Sequence, residues 1–372
     1  MRLATAKAPF YGMPRRAAPD RELIKEALAA VADADEFLLG QNVRQLEQAL
    51  SHWLGVEYAV AVSSGTAAVQ LAVHALELGP GDEVIVPAFG FHSSLTAVIR
   101  SGATPVLADV TPAGVIDVEC ARSVLSPRTR ALLPVHVFAT TADMSALTAL
   151  AREASVKVLE NSAVAVGFRH AGQQAATFGD VAVISAHPYK PLGGVTDGGF
   201  VVTDDAAMAS TVRMLRNHGQ DGKTRFLHHR VGYNARMDEV NAAVLLTRLR
   251  RLQRALELRA QIARTYDAAF ADLPELTLPA GGTDRSGIYA YVVGSPNRDA
   301  LEQHLARAGV ETTIYYPRPL HLQSAFTSLG HREGDFPVAE RLCRELLALP
   351  LYPEMPDREV DIVIRAIRGF YG

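Results

Sequence analysis

Apolar positions along the chain alternate between short β-branched runs and longer stretches with helical spacing. The first helical patterns span Arg21 to Ala32 and Val43 to Leu54. From there strands and helices take turns. The predicted strands are Tyr58 to Val62, Glu83 to Val86, Thr104 to Leu107, Ala131 to Val135, Lys157 to Glu160, Val181 to Ala186 and Gly199 to Thr203. Most are apolar at consecutive positions, as strands covered on both faces are. Helical patterns such as Thr66 to Leu78 and Ser145 to Ala154 lie between them. That succession predicts an α/β fold, a large domain with a mainly parallel sheet wound by helices. Such sheets bind ligands beyond the carboxyl ends of their strands.

From Met237 to about Leu273 no Gly or Pro interrupts a charge-laced helical pattern, which predicts one long linking helix. The turn-rich PAGGTDRSG follows at 279–287, then a second unit. Its expected parts are a strand at Ile288 to Val293, a helix from Asp299, a strand at Val310 to Ile314 and two terminal helices. The expected division is a large domain over 1–249 and a smaller C-terminal α+β domain over 250–372. No internal repeat of fixed period is present.

Composition narrows the function. The 372 residues are 48% hydrophobic and 21% charged, with a net charge of -3, which fits an ordinary folded protein and argues against disorder. No Lys/Arg block interleaved with aromatics occurs, so nucleic acid is not an expected partner and small molecules are. Cys120 and Cys343 are the only cysteines and form no CxxC, so neither a disulfide framework nor a metal site is expected. The first twenty residues carry Arg15 and Arg16 without an apolar run of signal-peptide length. Nor is there an uncharged apolar stretch of about 18 residues. A cytoplasmic location, with no membrane partner, is the expectation.

Several familiar motifs fail. HGQDGKT at 218–224 lacks the first glycine of a phosphate loop, Asn217 standing in its place. No GxGxxG follows a strand, no HExxH or GxSxG occurs, and His228 and His229 sit in a polar, basic loop. Lysine is more informative. Only Lys7, Lys25, Lys157, Lys190 and Lys223 occur. Lys190 follows the apolar run VAVISAH and precedes the glycine-containing PLGGVTDGG. Desolvation there lowers an amine's pKa toward neutrality, the state that Schiff-base chemistry requires. SSGTAAV at 63–69 turns from strand to helix and offers free backbone N–H groups to an anion. Ser185 adds a hydroxyl. In PAFGF at 87–91, Phe91 is a candidate cover for a flat ring, and Phe89 a candidate core residue. Each feature alone has an ordinary structural explanation.

Together, SSGTAAV, DEVIVPAFGF, KVLENSA, ATFGDVAVISAHPYKPL, LRNHG, GYNARMDEVNAA and YYPRPLHLQSAF follow one another in an order and spacing that resembles the DegT/DnrJ/EryC1/StrS family. These are pyridoxal-phosphate-dependent sugar aminotransferases of fold type I, and the resemblance runs from about residue 20 to the C-terminus. It implies that Lys190 is the Schiff-base lysine and proton carrier. It implies that Gly65, Thr66 and Ala67, with Ser185, hold the phosphate of pyridoxal 5′-phosphate, and that Phe91 stacks on the ring. Asn234 is implied to reach the phosphate from the other subunit of a homodimer with shared active sites. Arg216, Asn217, Tyr316 and His321 are candidates for the substrate pocket. The implied reaction moves an amino group from a donor such as L-glutamate, through pyridoxamine 5′-phosphate, to a keto-sugar or keto-cyclitol.

One segment departs from the family. Relatives commonly read E-D-A-A-Q where this chain reads ENSAV, so Asn161 takes the place of the aspartate paired with the ring nitrogen, and Val164 that of the glutamine. An amide supplies no negative charge to hold the pyridinium proton, which makes the ring a poorer electron sink. Loss of a charge-assisted hydrogen bond costs roughly 1.5–3 kcal/mol. In a transition state that is about a tenfold to hundredfold effect. Two alternatives to transamination therefore stand beside it: a lyase, dehydratase or oxidative reaction on the same cofactor, and a cofactor-binding protein without catalysis.

Overall fold

A computed structural model describes residues 7–12, 18–280 and 287–372 of the chain. In chain order its first nine strands are β1 (Tyr58–Val62), β2 (Glu83–Pro87), β3 (Thr104–Ala108), β4 (Thr129–Leu132), β5 (Lys157–Asn161), β6 (Arg169–His170), β7 (Gln173–Gln174), β8 (Val181–Ser185) and β9 (Gly199–Thr203). β6 and β7 form a small hairpin of their own. The other seven make one sheet in the order β1-β9-β8-β5-β4-β2-β3. Only β9 runs against its neighbours, β1 and β8, so the remaining six strands point the same way. Their carboxyl ends line a single edge, where a wound sheet places its ligands.

The apolar runs work because side chains alternate across the sheet. Val60, Val62, Val181, Val183 and Val201 pack into the core on one face, with helix Gly65–Ala75. Ala59, Ala61, Ala182, Ile184, Phe200 and Val202 fill the core on the other, with helices Gln41–Leu54 and Glu239–Leu249. A further core joins helix Leu252–Phe270, the antiparallel pair β10 (Tyr291–Gly294) and β11 (Leu346–Leu349), and helices Arg298–Ala308 and Asp357–Tyr371. Among the described residues no helix is long and apolar enough to cross a membrane.

Three expectations need correction. The predicted helix over 237–273 is two helices, Glu239–Leu249 and Leu252–Phe270, with Arg251 outside helical geometry between them. Tertiary contacts at the break explain what periodicity misses: Arg248 bonds the carbonyls of Gly193 and Gly194, while Arg251 bonds Asp20 at 3.0 Å. The strand predicted over 131–135 shifts to Thr129–Leu132, since Pro134 has no N–H to give a ladder. The strand predicted over 310–314 reduces to single bridges, Ala8 with Val310 and Thr313 with Ala348, and β11 was missed between two helices. Arg15, Arg16 and positions 281–286 of the turn-rich stretch lie outside the described residues.

Candidate active site

At the carboxyl end of β1 the chain enters helix Gly65–Ala75 through Ser63 and Ser64. Ser64 Oγ caps the helix by accepting from the Ala67 N–H at 3.0 Å. The positive end of the helix dipole and its first N–H groups thus lie at the sheet's ligand-binding edge. The turn is pressed against the neighbouring strands: a Cβ on Gly65 would stand 2.7 Å from Ser185 Cβ, and one on Gly199 would stand 2.5 Å from the Ser64 carbonyl carbon. Glycine at both positions lets the loop seat itself against Ser185, the last residue of β8.

Lys190 follows five residues later. Its N–H donates to the His187 carbonyl at 2.9 Å, closing a tight turn. The loop beyond is fixed from helix Glu239–Leu249: Asn241 Oδ1 accepts from the Val195 N–H at 2.9 Å and its Nδ2 donates to the Asp197 carbonyl at 3.0 Å. The residue as a whole is half-buried, but its amine lies 4.4 Å from the centroid of the Tyr289 ring. Burial pushes the Lys190 ammonium down from 10.5 to about 8.

Tyr11, Tyr189, Tyr315 and Tyr316 cluster with Tyr289, and of these only Tyr316 is among the candidate residues named from the sequence. The Tyr289 and Tyr315 hydroxyls are 3.0 Å apart, those of Tyr315 and Tyr11 3.2 Å apart, and the Tyr11 ring stacks on Tyr189 at 3.9 Å. Tyr11 arrives on the segment 7–12, held by the Phe10 N–H donating to Glu311 at 3.0 Å. Tyr316 packs edge-on against Phe89 and has a φ of +59°, a left-handed conformation uncommon for a bulky residue. Burial raises the hydroxyl pKa of both Tyr315 and Tyr316. Phe89 is wholly buried, whereas Phe91, at the mouth of the site, is 53% exposed.

Asn161 ends β5, opposite Val183 of β8 and so two residues short of Ser185 along that strand. It is buried. Its Oδ1 accepts from the Ala163 N–H at 3.0 Å, and its Nδ2 donates to Ser94 Oγ at 2.9 Å. Glu160, adjacent in the strand, binds His136 Nε2 at 2.9 Å, the Ser162 hydroxyl at 3.0 Å and the Phe178 N–H at 3.0 Å. Burial acts to raise the Glu160 pKa, but His136 and the backbone donors outweigh it and hold it below the usual carboxylate range. Val164 is part of the apolar core.

Two candidate substrate residues are each held by a carboxylate. Arg216 is buried, bonding Glu47 and the Ala61 carbonyl, where it ties β1 to helix Gln41–Leu54. These bonds use one terminal nitrogen of the guanidinium, and its Nε is buried without a hydrogen-bond partner. His321 is also buried, its Nε2 3.0 Å from Glu340 and its ring against Phe336. Asn217 accepts from Arg236 at 3.0 Å and bridges Asn234. The Asn234 side chain is exposed, while the next carbonyl, of Ala235, accepts from the Ser63 N–H at 2.8 Å.

A lysine desolvated at the strand ends of a wound sheet, beside a helix N-terminus, defines the large-domain architecture of a fold type I transferase. The chain belongs to the DegT/DnrJ/EryC1/StrS aminotransferase family, whose sequence profile matches residues 19–368. It is 38% identical to the erythromycin biosynthesis sensory transduction protein EryC1 of Saccharopolyspora erythraea, over 97% of this chain and 99% of that one. It is 37% identical to a dTDP-3-amino-3,4,6-trideoxy-alpha-D-glucose transaminase of Streptomyces venezuelae, over 99% and 97%. The crystal structure of S. venezuelae DesV in complex with a ketimine intermediate superposes with a TM-score of 0.95 at 37% identity, covering 99% of each chain.

Proposed function

We propose that the protein is a pyridoxal 5′-phosphate-dependent aminotransferase that moves an amino group from L-glutamate or a similar donor to the carbonyl of a sugar-like acceptor. The observation that carries this reading is the Lys190 amine, held near pKa 8 beside a turn where only glycine fits against Ser185. The residues present suit the cofactor. Gly65, Thr66 and Ala67, with Ser185, are assigned to its phosphate, Phe91 to the face of its ring, and Asn161 to the ring's far end. When bound, the cofactor supplies an aldehyde for amines and a conjugated ring that draws electrons from the adjacent carbon.

The chain's own part is to position and to move protons. A lysine of pKa about 8 has a useful neutral fraction near physiological pH, so Lys190 is assigned both the covalent hold on the cofactor and proton transfer at its Nζ. The Tyr289 ring lies against that amine, and the burial that lowers its pKa keeps water from it. Tyr316, with Asn217 at a greater remove, is assigned to the acceptor side. The transaminase name of the Streptomyces venezuelae relative favours a nucleotide-linked keto-sugar over a keto-cyclitol as the acceptor. The reading includes a cytoplasmic homodimer in which Asn234 serves the partner's phosphate site.

Purified protein carrying the cofactor is expected to absorb visible light and to lose that band when L-glutamate is added. Borohydride reduction followed by peptide mapping is expected to find the adduct on Lys190; an adduct elsewhere, or none, defeats the assignment. Asn161 favours one second reading, a lyase, dehydratase or oxidative enzyme on the same cofactor. Its signature is a visible band that survives glutamate, glutamine and alanine while an amino sugar is consumed. A band indifferent to every amine identifies a binding protein without catalysis.

A further inference from the structure

Tyr11 reaches the surroundings of Lys190 from two sides. Its ring stacks on Tyr189, the residue before the lysine, with centroids 3.9 Å apart and planes 10° from parallel. Its hydroxyl lies 3.2 Å from that of Tyr315, which in turn lies 3.0 Å from that of Tyr289. The lysine amine rests against the Tyr289 ring, at 4.4 Å from its centroid. One side chain thus joins the turn that carries the lysine to the ring that receives its amine. Backbone bonds hold the segment that bears it. The N–H groups of Lys7 and Ala8 donate to the Gly309 carbonyl at 2.9 and 3.1 Å, the Glu311 N–H donates to the Ala8 carbonyl at 3.0 Å, and the Phe10 N–H donates to the Glu311 carboxylate. On the other flank Gly12 has a φ of +51°, and a Cβ there would stand 2.3 Å from the Tyr352 ring, so the close approach requires glycine. Tyr11 is therefore fixed from before and after. Tyr189 also meets the His187 ring, edge-on at 5.1 Å, but that residue belongs to the same turn and moves with it.

We propose that Tyr11 is a positioning residue for Lys190, fixing the lysine's turn through the Tyr189 ring and the seat of its amine through the Tyr315 and Tyr289 hydroxyls. The role rests on the proposed function, which uses that amine, and deepens it. Two opposed influences decide the sign of the effect. An aromatic face favours an ammonium, whereas exclusion of water favours the neutral amine. Exclusion of water prevails here, since burial holds the Lys190 amine down at about 8. Loosening either contact admits water, so it moves the amine back toward 10.5 and shrinks its neutral fraction near physiological pH.

The test labels the full-length, cofactor-free protein with a trace of acetic anhydride over a range of pH and quantifies each lysine by peptide mass. The Lys190 peptide is read against those of Lys25 and Lys157, both exposed. Lys190 is expected to react with a midpoint near 8. Tyr11→Leu removes both contacts and is expected to raise that midpoint by about one pH unit, a tenfold loss of neutral amine at lower pH, while the two reference lysines stay unmoved. Tyr11→Phe keeps the stack but loses the hydroxyl, and Tyr315→Phe interrupts the same chain of hydroxyls at its middle. Both are expected to fall between the wild type and Tyr11→Leu. An unmoved Lys190 midpoint in Tyr11→Leu, or in both phenylalanine variants where the leucine chain does not fold, overturns the inference. Borohydride mapping of the loaded wild type tests the cofactor reading separately. An adduct on Lys190 leaves that reading standing even where the midpoints do not move, so the two failures are told apart.

Discussion

Lys190 combines a scarce residue type with an environment that alters its chemistry. The sequence already set it between a buried strand and a flexible loop, but its surroundings depend on Tyr289, which lies against the amine, and on Tyr11 and Tyr315, linked to Tyr289 through their hydroxyls, all far from Lys190 along the chain. Burial lowers its pKa from 10.5 to about 8, and the sign of the stability effect follows. Below about pH 8 the amine is charged in both folded and unfolded chains, and the folded state bears the whole cost of burying that charge. Between about 8 and 10.5 the unfolded chain holds a proton that the folded chain lacks, so stability rises with pH across this window. Cofactor-free Lys190→Met is therefore expected to melt above the wild type near neutral pH, with the gap narrowing as pH approaches 10.5. A gap independent of pH would show that the amine is well solvated. Arg216 and His321 teach the opposite lesson. The family resemblance offers them as substrate residues, whereas in the structure each is buried against a carboxylate, Glu47 and Glu340, a contact that points to a structural role. Removing one member of a buried pair costs roughly 3–5 kcal/mol. Arg216→Met is thus expected to lower the urea midpoint sharply and leave KM for donor and acceptor nearly unchanged; a large rise in KM on a stable fold would restore it to the substrate pocket.

The elements of the site differ in how much of them a one-dimensional pattern can carry. β1 and β9 occupy their expected residues, because a strand covered on both faces leaves a continuous apolar run bounded by turn residues. The cradle was legible in composition alone: a serine cap and glycine at a strand-to-helix turn. Why it must be glycine was not. Only the packed structure brings Gly65 against Ser185 and Gly199 against Ser64. Likewise Asn241 fixes the loop after Lys190 by two hydrogen bonds that span more than forty residues of chain, a contact to which periodicity is blind. The hydroxyl partner of Asn161 lies in helix Ser93–Ser101, itself unforeseen because its short stretch of mixed polarity carries little signal. The cradle yields a direct prediction. In Gly65→Ala the new methyl would lie 2.7 Å from Ser185 Cβ, so the helix start must shift away from β8. Cofactor affinity, read by titration of the visible absorbance, is expected to fall tenfold or more, or about 1.4 kcal/mol, while the far-ultraviolet spectrum stays native. Unchanged affinity would show that the phosphate does not rest on this turn.

Across the whole molecule, the distribution of exposed apolar residues bears on assembly. Phe91 is 53% exposed beside the site, and the loop leading to Asn234 displays Phe226 at 73% and Val231 at 94%. Leaving such side chains in water costs roughly 1.5–3 kcal/mol each relative to burying them, which favours a second surface against this face. The same loop contacts the cradle through Ala235 and Ser63, so anything that orders it also acts on the site. In the proposed homodimer, Lys190 of one protomer works with Asn234 of the partner subunit, and each active site needs both. A mixture of two defective chains separates this arrangement from independent subunits. Lys190→Ala and Asn234→Ala homodimers are each expected to be impaired, the first completely. A mixed dimer, however, combines both lesions in one site and leaves the other site intact. Random reassociation of equal amounts makes half the dimers mixed, so about a quarter of wild-type activity is expected to return if each site is built from both chains. If Asn234 acts within its own subunit, mixing produces no intact site beyond the residual activity of the Asn234→Ala chains. The recovered fraction, measured alongside the mass of the assembly in solution, thus reads directly whether two chains build the site.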